Sequence, residues 1–356
     1  IMTSKPKVLL GMSGGTDSSV SAMLLQDQGF EVTGITLYMF DDPVTGTAPS
    51  FLNDASNLAK QLNFKHYIVD VRARFRKNVI DYFVGEYLSG RTPFPCIVCN
   101  RTLKWAILEE EADRLDCTYI STGHYARIKT VNGRPYIHKA VDEDKDQSFF
   151  LWTMTEAQIR RTIFPLGDYT KTNVRQIAAE RGFHSVSRKK DSMGVCFIEG
   201  TDYRPFLKQE LDRRGIYIPP GQFFDTRGAY LGSNEGYPFY TIGQRRGLGI
   251  YLNRALYAVS IDPSANTVRL GSFQDLLKDS MYVENFQLID SDDLNCPEPL
   301  IVKIRYRKQA TPCRVEPTDN NRLKVTFLEP LSAIAAGQGA AFYIGDRVIG
   351  GGIIGE

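Results

Sequence analysis

The sequence predicts an α/β protein: a parallel sheet with helices on both faces, then a small central β-rich segment, then a C-terminal β-barrel. Three observations carry this reading. Apolar strand-like runs alternate with helix-period stretches from Lys7 to about residue 182, which is the pattern of βαβ units. After about residue 200 Gly and Pro become frequent, as in IPPGQFFDTRGAYLG. From about residue 280 short apolar runs follow one another between turns, a barrel or sandwich pattern. The texture changes divide the 356 residues into 1–205, 206–277 and 278–356, in keeping with the usual size of domains.

The elements follow in order. Residues 7–12 read as a buried strand. Residues 18–28 read as a helix, with Val20, Met23 and Leu24 recurring on one side before Gly29 stops it. EVTGITLYMF (31–40) is a second strand, 53–63 a helix and HYIVDV (66–71) a third strand. Helical patterns cover 74–88 and 101–115, and TYISTGHYA (118–126) is a fourth strand ending in Gly-His. A further helix is expected at 172–182, and beyond 200 strands replace helices. The last strands are YVENFQLI, LIVKIRYR, ATPCRVEP, RLKVTFLE, GAAFYIG and RVIGGGII.

Bulk composition bounds the function. Hydrophobic content of 42% and charged content of 24% are those of a globular chain. There is no run of 18 apolar residues, so no membrane span is expected, and IMTSKPKVLL does not resemble a signal peptide. A cytoplasmic location follows as an expectation. Six cysteines in a long chain of this kind are not a disulfide framework. A net charge of +2 leaves nucleic acid open, since what matters is where the charge lies.

The stretch KVLLGMSGGTDSSV joins the first strand to the first helix. A glycine-rich turn there aims backbone N–H groups and the positive end of a helix dipole at one spot, which favours an anion. Gly14 and Gly15 allow close approach, and Ser13, Thr16 and Ser18 offer hydroxyls. Asp17 is out of place beside phosphate unless a metal stands between them, which implies Mg²⁺. The string is neither GxxxxGK[ST] nor GxGxxG.

SGGTDS is similar to the pyrophosphate-loop signature of ATP pyrophosphatases, enzymes that split ATP between its α and β phosphates to adenylate a substrate. Residues 90–105, GRTPFPCIVCNRTLKW, narrow the choice. Cys96 and Cys99 form a CxxC whose flanking prolines are expected to hold the segment extended and exposed. A zinc site would need a second pair, and Cys117, Cys296 and Cys313 lack that spacing. With TGHYAR, KDQS, DSMGVCFI, GQGAAFY and GGGII in the same order, the chain resembles the tRNA-specific 2-thiouridylase (tRNA-uridine 2-sulfurtransferase) family over nearly its whole length.

That resemblance implies a Rossmann-like N-terminal domain of the adenine nucleotide alpha-hydrolase-like type. It implies ATP held by Gly11, Met12, Ser13, Gly14, Gly15, Thr16, Asp17 and Ser18, with Leu37 and Gly123 lining the adenosine. Leu37 stands where the family usually has methionine, a change of little volume. Cys99 matches the family's catalytic cysteine and Cys196 the cysteine that carries a persulfide. Phe94, Pro95 and Cys96 fall where the family contacts the target base. Lys145, Asp146 and Gln147 fall on a tRNA-contacting KDQ, as do Arg305 and Tyr306 in the barrel. The implied reaction adenylates the uridine 2-oxygen at the wobble position of the Glu, Lys and Gln acceptors. Sulfur on Cys196 then attacks the activated carbon, or Cys99 attacks the persulfide and frees sulfide, leaving a transient Cys99–Cys196 disulfide. Thiolates of modest pKa are expected beside Lys189 and Lys190. The implied partners are tRNA, met by the central and C-terminal domains, and an upstream sulfur donor, a cysteine desulfurase or relay protein.

Many family members carry aspartate where this chain has Cys96. Cys96, Cys99 and Cys196 are therefore also a ligand set for a 4Fe–4S cluster with one open iron. His124, after Gly123 at a strand end, is expected to orient the site rather than act as a base. In LIVKIRYRK, period 2 places Lys303, Arg305 and Arg307 on one strand face and Val302, Ile304 and Tyr306 on the other, a phosphate-tracking surface. Two alternatives remain at this point: another pyrophosphate-loop ligase, such as an argininosuccinate synthetase, or a sulfur-relay or tRNA-binding module without catalysis.

Overall fold

The computed structural model describes residues 5–42, 45–188, 194–252, 254–306 and 310–356. By internal contacts the chain divides into two compact units. One holds Ile1–Val79, Cys96–Thr201 and Asp346–Ile349; the other holds Ile80–Pro95, Asp202–Gly345 and Gly350–Glu356.

In the first unit β1 (Lys7–Gly11), β2 (Glu31–Tyr38), β3 (Lys65–Asp70), β4 (Tyr119–Thr122) and β7 (Thr162–Ile163) form a parallel sheet in the order β3-β2-β1-β4-β7. The chain reverses its direction of travel across the sheet between β1 and β4, where α/β sheets bind ligands. Helix α1 (Thr16–Asp27) packs on both sides rather than along one stripe: Ala22 and Leu25 join Val8, Leu10 and Val32, while Val20, Met23 and Leu24 join Val174 and Ala178. Each fully buried Val, Leu or Met side chain among these contributes about 1.5–3 kcal/mol. Helix α2 (Ser50–Gln61) adds Ala55 and Leu58 to the first cluster.

A short helix α3 (Arg72–Phe75), a π-helical stretch (Arg76–Ile80) and α4 (Asp81–Leu88) run on as one helical segment. A second compound helix is built alike: α5 (Pro95–Cys99), a π-helical stretch (Asn100–Lys104) and α6 (Trp105–Arg114). Strict alternation of strand and helix breaks at the antiparallel hairpin β5 (Arg127–Val131) and β6 (Arg134–His138), turned at Asn132-Gly133, both at positive φ. Helices α7 (Glu156–Arg161) and α8 (Lys171–Glu180) open with capping boxes at Thr155 and Thr170, and α9 (His184–Ser187) is a single turn.

The second unit contains a helix the sequence reading did not expect. This is α10 (Arg204–Arg213), which begins with Pro205 in its first turn and buries Leu207 and Leu211. Strands β8 (Gly221–Asp225), β9 (Tyr230–Asn234), β10 (Tyr257–Asp262) and β11 (Thr267–Gly271) make a sheet of order β10-β11-β8-β9. Strands β12 (Leu277–Leu288), β13 (Leu300–Lys303), β14 (Thr311–Thr318), β15 (Arg322–Ser332), β16 (Gly339–Ile344) and β17 (Arg347–Ile354) close into a barrel. Its order is β12-β15-β14-β13-β16-β17, and β17 pairs back onto β12. The α/β class, the parallel sheet and the terminal barrel are as predicted. Among the described residues no helix is long and apolar enough to cross a membrane.

Candidate active site

Gly11 ends β1 directly beside Thr122 at the end of β4. The loop after β1 and the Gly123-His124 turn after β4 therefore stand side by side at the switch point of the sheet. Gly14 is at φ +66°, and a Cβ there would lie 2.6 Å from the Phe51 carbonyl oxygen, so both backbone and space require glycine. Gly15 is the N-cap of α1 and supplies no side-chain cap, which leaves the helix N-terminus suited to a phosphate. Ser18 is spent inside the loop: its Oγ accepts from Ser13 N at 3.3 Å and donates to Gly15 O at 3.2 Å. Thr16 is buried and Ser13 is exposed, so the hydroxyls differ in role. Met12 and Leu37 are buried, and Leu37 pairs with Val69 across β2 and β3. A Cβ on Gly123 would sit 3.0 Å from Ser18 N, which explains glycine there as a close-packing requirement.

Asp17 differs from expectation. Both its oxygens accept from Lys171 Nζ, at 2.7 and 2.9 Å, and Tyr125 Oη donates to it at 2.8 Å. Lys171, the first residue of α8, was not singled out in the sequence, and its side chain is only 10% exposed. The cation that the acid demanded is thus supplied by the chain, and Asp17 need not hold Mg²⁺. The loop itself, a glycine cradle at an uncapped helix end, suits a nucleotide phosphate.

The cysteine segment also departs from the extended form expected of it. Pro93 and Pro95 do flank it, but Pro95 opens helix α5, a favoured place for proline. Cys96 and Cys99, three apart, fall on one helix face. Lys104 comes five residues after Cys99, at the end of the π-helical stretch, where the i to i+5 spacing returns it to the same side. Cys196 arrives from 97 positions away. Its neighbour Phe197 is buried edge-on against Phe75 of α3, ring centroids 5.6 Å apart. All three thiols lie within electrostatic reach of Lys104.

Burial is the largest influence on each thiol and raises it, while the Lys104 charge works the other way. Cys196, an exposed residue whose sulfur is crowded by protein atoms, is pushed up to about 12, with Cys99 and Cys96 adding to the rise. For Lys104 burial lowers the ammonium, but the pull of Cys99, Cys196 and Cys96 together outweighs it and the net is a rise. Resting thiols beside a fixed cation follow, in place of the modest thiol pKa values expected. Among the described residues Lys104 forms no salt bridge with a carboxylate. His124 is lowered to about 3 by burial and then by Lys104. Its Nδ1 shares a 2.7 Å hydrogen bond with Thr122 Oγ1, and its ring packs against both Trp105 and Phe164. It is neutral at any ordinary pH, which suits an orienting role.

Among the described residues no three His, Cys, Asp or Glu side chains are arranged to hold a metal ion. The structure therefore gives no support to the 4Fe–4S ligand set expected from Cys96, Cys99 and Cys196. Of the KDQ residues, Asp146 faces the protein. Its Oδ1 accepts from Ala140 N and Ser148 N, and its Oδ2 accepts from Ser148 Oγ at 2.9 Å. Gln147 bonds Tyr125 through both backbone and side chain, and Lys145 is half-buried beside them. In the second unit the Phe94 ring packs on Gly339 and Pro95 is buried. Arg305 donates to Ala333 O at 2.8 Å, and burial lowers its guanidinium. The basic strand face is shorter than expected: β13 stops at Lys303, leaving half-buried Arg305 and Tyr306 in the turn that follows. Lys189, Lys190 and Arg307 lie outside the described residues.

Three family models match the chain in succession. They are described as a tRNA methyl transferase HUP domain over residues 6–200, a tRNA methyl transferase PRC-barrel domain over 204–272 and an aminomethyltransferase beta-barrel domain over 278–354. The chain is 50% identical over 351 residues to the tRNA-specific 2-thiouridylase MnmA 2 of Phocaeicola vulgatus, covering 99% of this chain and 98% of that protein. It is 48% identical over 362 residues to the tRNA-specific 2-thiouridylase MnmA 1 of Bacteroides fragilis, with coverage of 99% and 98%.

Proposed function

Because the chain belongs to the tRNA-specific 2-thiouridylase family, we propose that it is an ATP-dependent tRNA-uridine 2-sulfurtransferase. The observation that carries this is the gathering of Cys96, Cys99 and Cys196 around Lys104 in the unit that also holds the glycine loop. The matched models bear methyltransferase names, but methyl transfer gives no reason for a cation among three thiols, whereas sulfur transfer does.

In this reading ATP is a substrate. The uridine 2-oxygen is a poor leaving group, and adenylation with release of pyrophosphate makes it a good one. The N-terminus of α1 faces the phosphates, with the loop shape fixed by Gly14 and by the Asp17–Lys171 pair. Mg²⁺ entering with ATP would neutralise phosphate charge. The Cys99 thiolate attacks the inner sulfur of a Cys196 persulfide: the Cys99–Cys196 disulfide forms, the S–S bond of the persulfide breaks, and hydrosulfide leaves. Hydrosulfide displaces AMP from the activated carbon, and an external dithiol reduces the disulfide. Lys104 stabilises the anionic sulfur at each stage. Lys145, Arg305 and Tyr306 are proposed tRNA contacts, and the wobble uridine of the Glu, Lys and Gln acceptors is the proposed target. Sulfur would come from a cysteine desulfurase or relay protein.

The test is nucleoside mass spectrometry of tRNA after incubation with the protein, ATP, Mg²⁺ and a persulfide donor or sulfide. The expected result is 2-thiouridine with matching tRNA-dependent pyrophosphate release. Pyrophosphate release without 2-thiouridine under every sulfur source would refute the proposal.

A further inference from the structure

Two buried residues of the first unit, Tyr125 and Lys171, are each tied at both ends. Their side chains converge on Asp17, in the first turn of α1. Tyr125 Oη donates to its Oδ1 at 2.8 Å, and Lys171 Nζ donates to Oδ1 and Oδ2 at 2.7 and 2.9 Å. Their backbones are tied to residues 142–147. Tyr125 N donates to Gln147 Oε1 at 3.0 Å, and Gln147 N donates back to Tyr125 O at 2.8 Å. Lys171 N donates to Asp142 Oδ2 at 2.7 Å, and Asp142 Oδ1 accepts from Lys145 N at 3.2 Å. The glycine loop and the KDQ segment are thus joined twice, once through a tyrosine and once through a lysine.

Both links are stiff. Tyr125 packs among Val20 and Met23 of α1 and Val174 and Ala178 of α8, so it cannot swing without opening that core. Lys171 is the first residue of α8, held by the capping box at Thr170. At the loop end, a Cβ on Gly123 would lie 3.0 Å from Ser18 N and 3.1 Å from the Asp17 carbonyl carbon, so the chain leading to Tyr125 moves with the start of α1. At the other end Asp146, between Lys145 and Gln147, closes its own turn by accepting from Ala140 N and Ser148 N. Breaking either link leaves a buried polar group unpaired, at a cost of about 1–3 kcal/mol.

We propose that Tyr125, Asp142 and Lys171 are positioning residues that link the two ends energetically. A nucleotide on the loop orders residues 145–147, and RNA on residues 145–147 orders the loop, so each ligand tightens the other. The ordering is made once and serves both, and the factor is the same in either direction. That Lys145 meets tRNA rests on the function proposed above; the link between loop and segment does not. It favours ATP on the protein that already holds its acceptor.

Hydrogen exchange and calorimetry test it. In the wild type, ATP with Mg²⁺ and no tRNA is expected to slow amide exchange at Lys145 and Gln147 by about fivefold. α,β-Methylene-ATP, whose bridge cannot be split, is expected to bind about tenfold tighter when unmodified tRNA saturates the protein. Tyr125→Phe cuts one link and Asp142→Ala the other. Each is expected to lower the tRNA effect to about threefold, and the double variant to bring it within about twofold of none. Affinity for the analogue alone is expected to stay within about threefold of wild type in all three. A role in stability alone would weaken both affinities and leave their ratio at about tenfold, and that result overturns the proposal. So does exchange at Lys145 and Gln147 that stays unchanged while calorimetry shows ATP bound. The exchange arm uses neither tRNA nor turnover, so it reads the link even where thiolation fails. Absence of ATP binding would overturn the proposed function, and this link with it.

Discussion

Replacing Lys104 by methionine removes the ammonium that faces Cys96, Cys99 and Cys196 and leaves a side chain of similar length. One helical turn from Cys99 corresponds to about 6 Å. At an effective dielectric of about 20–40, a unit charge at that range stabilises a thiolate by about 1–3 kcal/mol. That equals about 1–2 pKa units. The thiols already lie above the ordinary cysteine range through burial, so loss of the cation moves them further up. Below its pKa a thiol loses tenfold in thiolate for each unit of rise. Alkylation of Cys99 and Cys196 by iodoacetamide, read peptide by peptide across pH 7–10, should therefore slow by about 10–100-fold in Lys104→Met. Cys313, which burial pushes up to about 12 without help from Lys104, serves as the internal control. Lys104→Arg should retain most of the wild-type rate, since it keeps the charge. Equal alkylation rates at every pH in wild type and Lys104→Met would refute the assignment of Lys104 as the counter-ion of the sulfur site.

Other substitutions probe the loop and its neighbours. Lys171→Met leaves Asp17 with Tyr125 alone and should cost about 2–3 kcal/mol in denaturant unfolding, less than a fully buried pair because a third of Asp17 is exposed. Asp17→Asn added to it should recover much of that loss, and additive losses would contradict the pairing. Gly14→Ala forces a side chain to φ +66° at a cost of about 1–2 kcal/mol, so ATP affinity by calorimetry should fall by about tenfold; wild-type affinity would remove the loop from nucleotide binding. His124 has a folded pKa of about 3 against an ordinary 6.5. Its contribution to stability is therefore full above 6.5 and lost as pH falls toward 3, and His124→Asn should flatten that acid limb of the melting curve. An unchanged limb would show that other groups cause it.

The parallel sheet was readable because its strands are near-continuous apolar runs with helix-period stretches between them, and the barrel because short alternating runs recur between turns. The SGGTDS loop was readable because its chemistry is local: glycines, hydroxyls and a helix start within a few residues. What escaped depends on tertiary structure. Lys171 lies 154 residues from Asp17, and no local signal in the sequence ties the two together. Nothing around Lys104 marks it either, since its meaning comes from a π-helical stretch and from Cys196 folding back through Phe197. The prolines around the CxxC suggested an extended strap, yet proline is equally at home in the first turn of a helix. The resemblance put Asp146 on a tRNA-contacting KDQ, and nothing local in that motif signalled that its carboxylate is used inside a turn.

The central claim is that sulfur passes from Cys196, assisted by Cys99, to an adenylated tRNA uridine. A single-turnover experiment tests it most directly. The protein is loaded with persulfide, freed of donor, and mixed with tRNA and ATP. Nucleosides and the cysteine peptides are then followed together by mass spectrometry. The account predicts that 2-thiouridine appears in step with loss of the Cys196 persulfide and formation of a Cys99–Cys196 disulfide, with none formed by Cys99→Ser or Cys196→Ser. Formation of 2-thiouridine at the wild-type rate by either variant would contradict it.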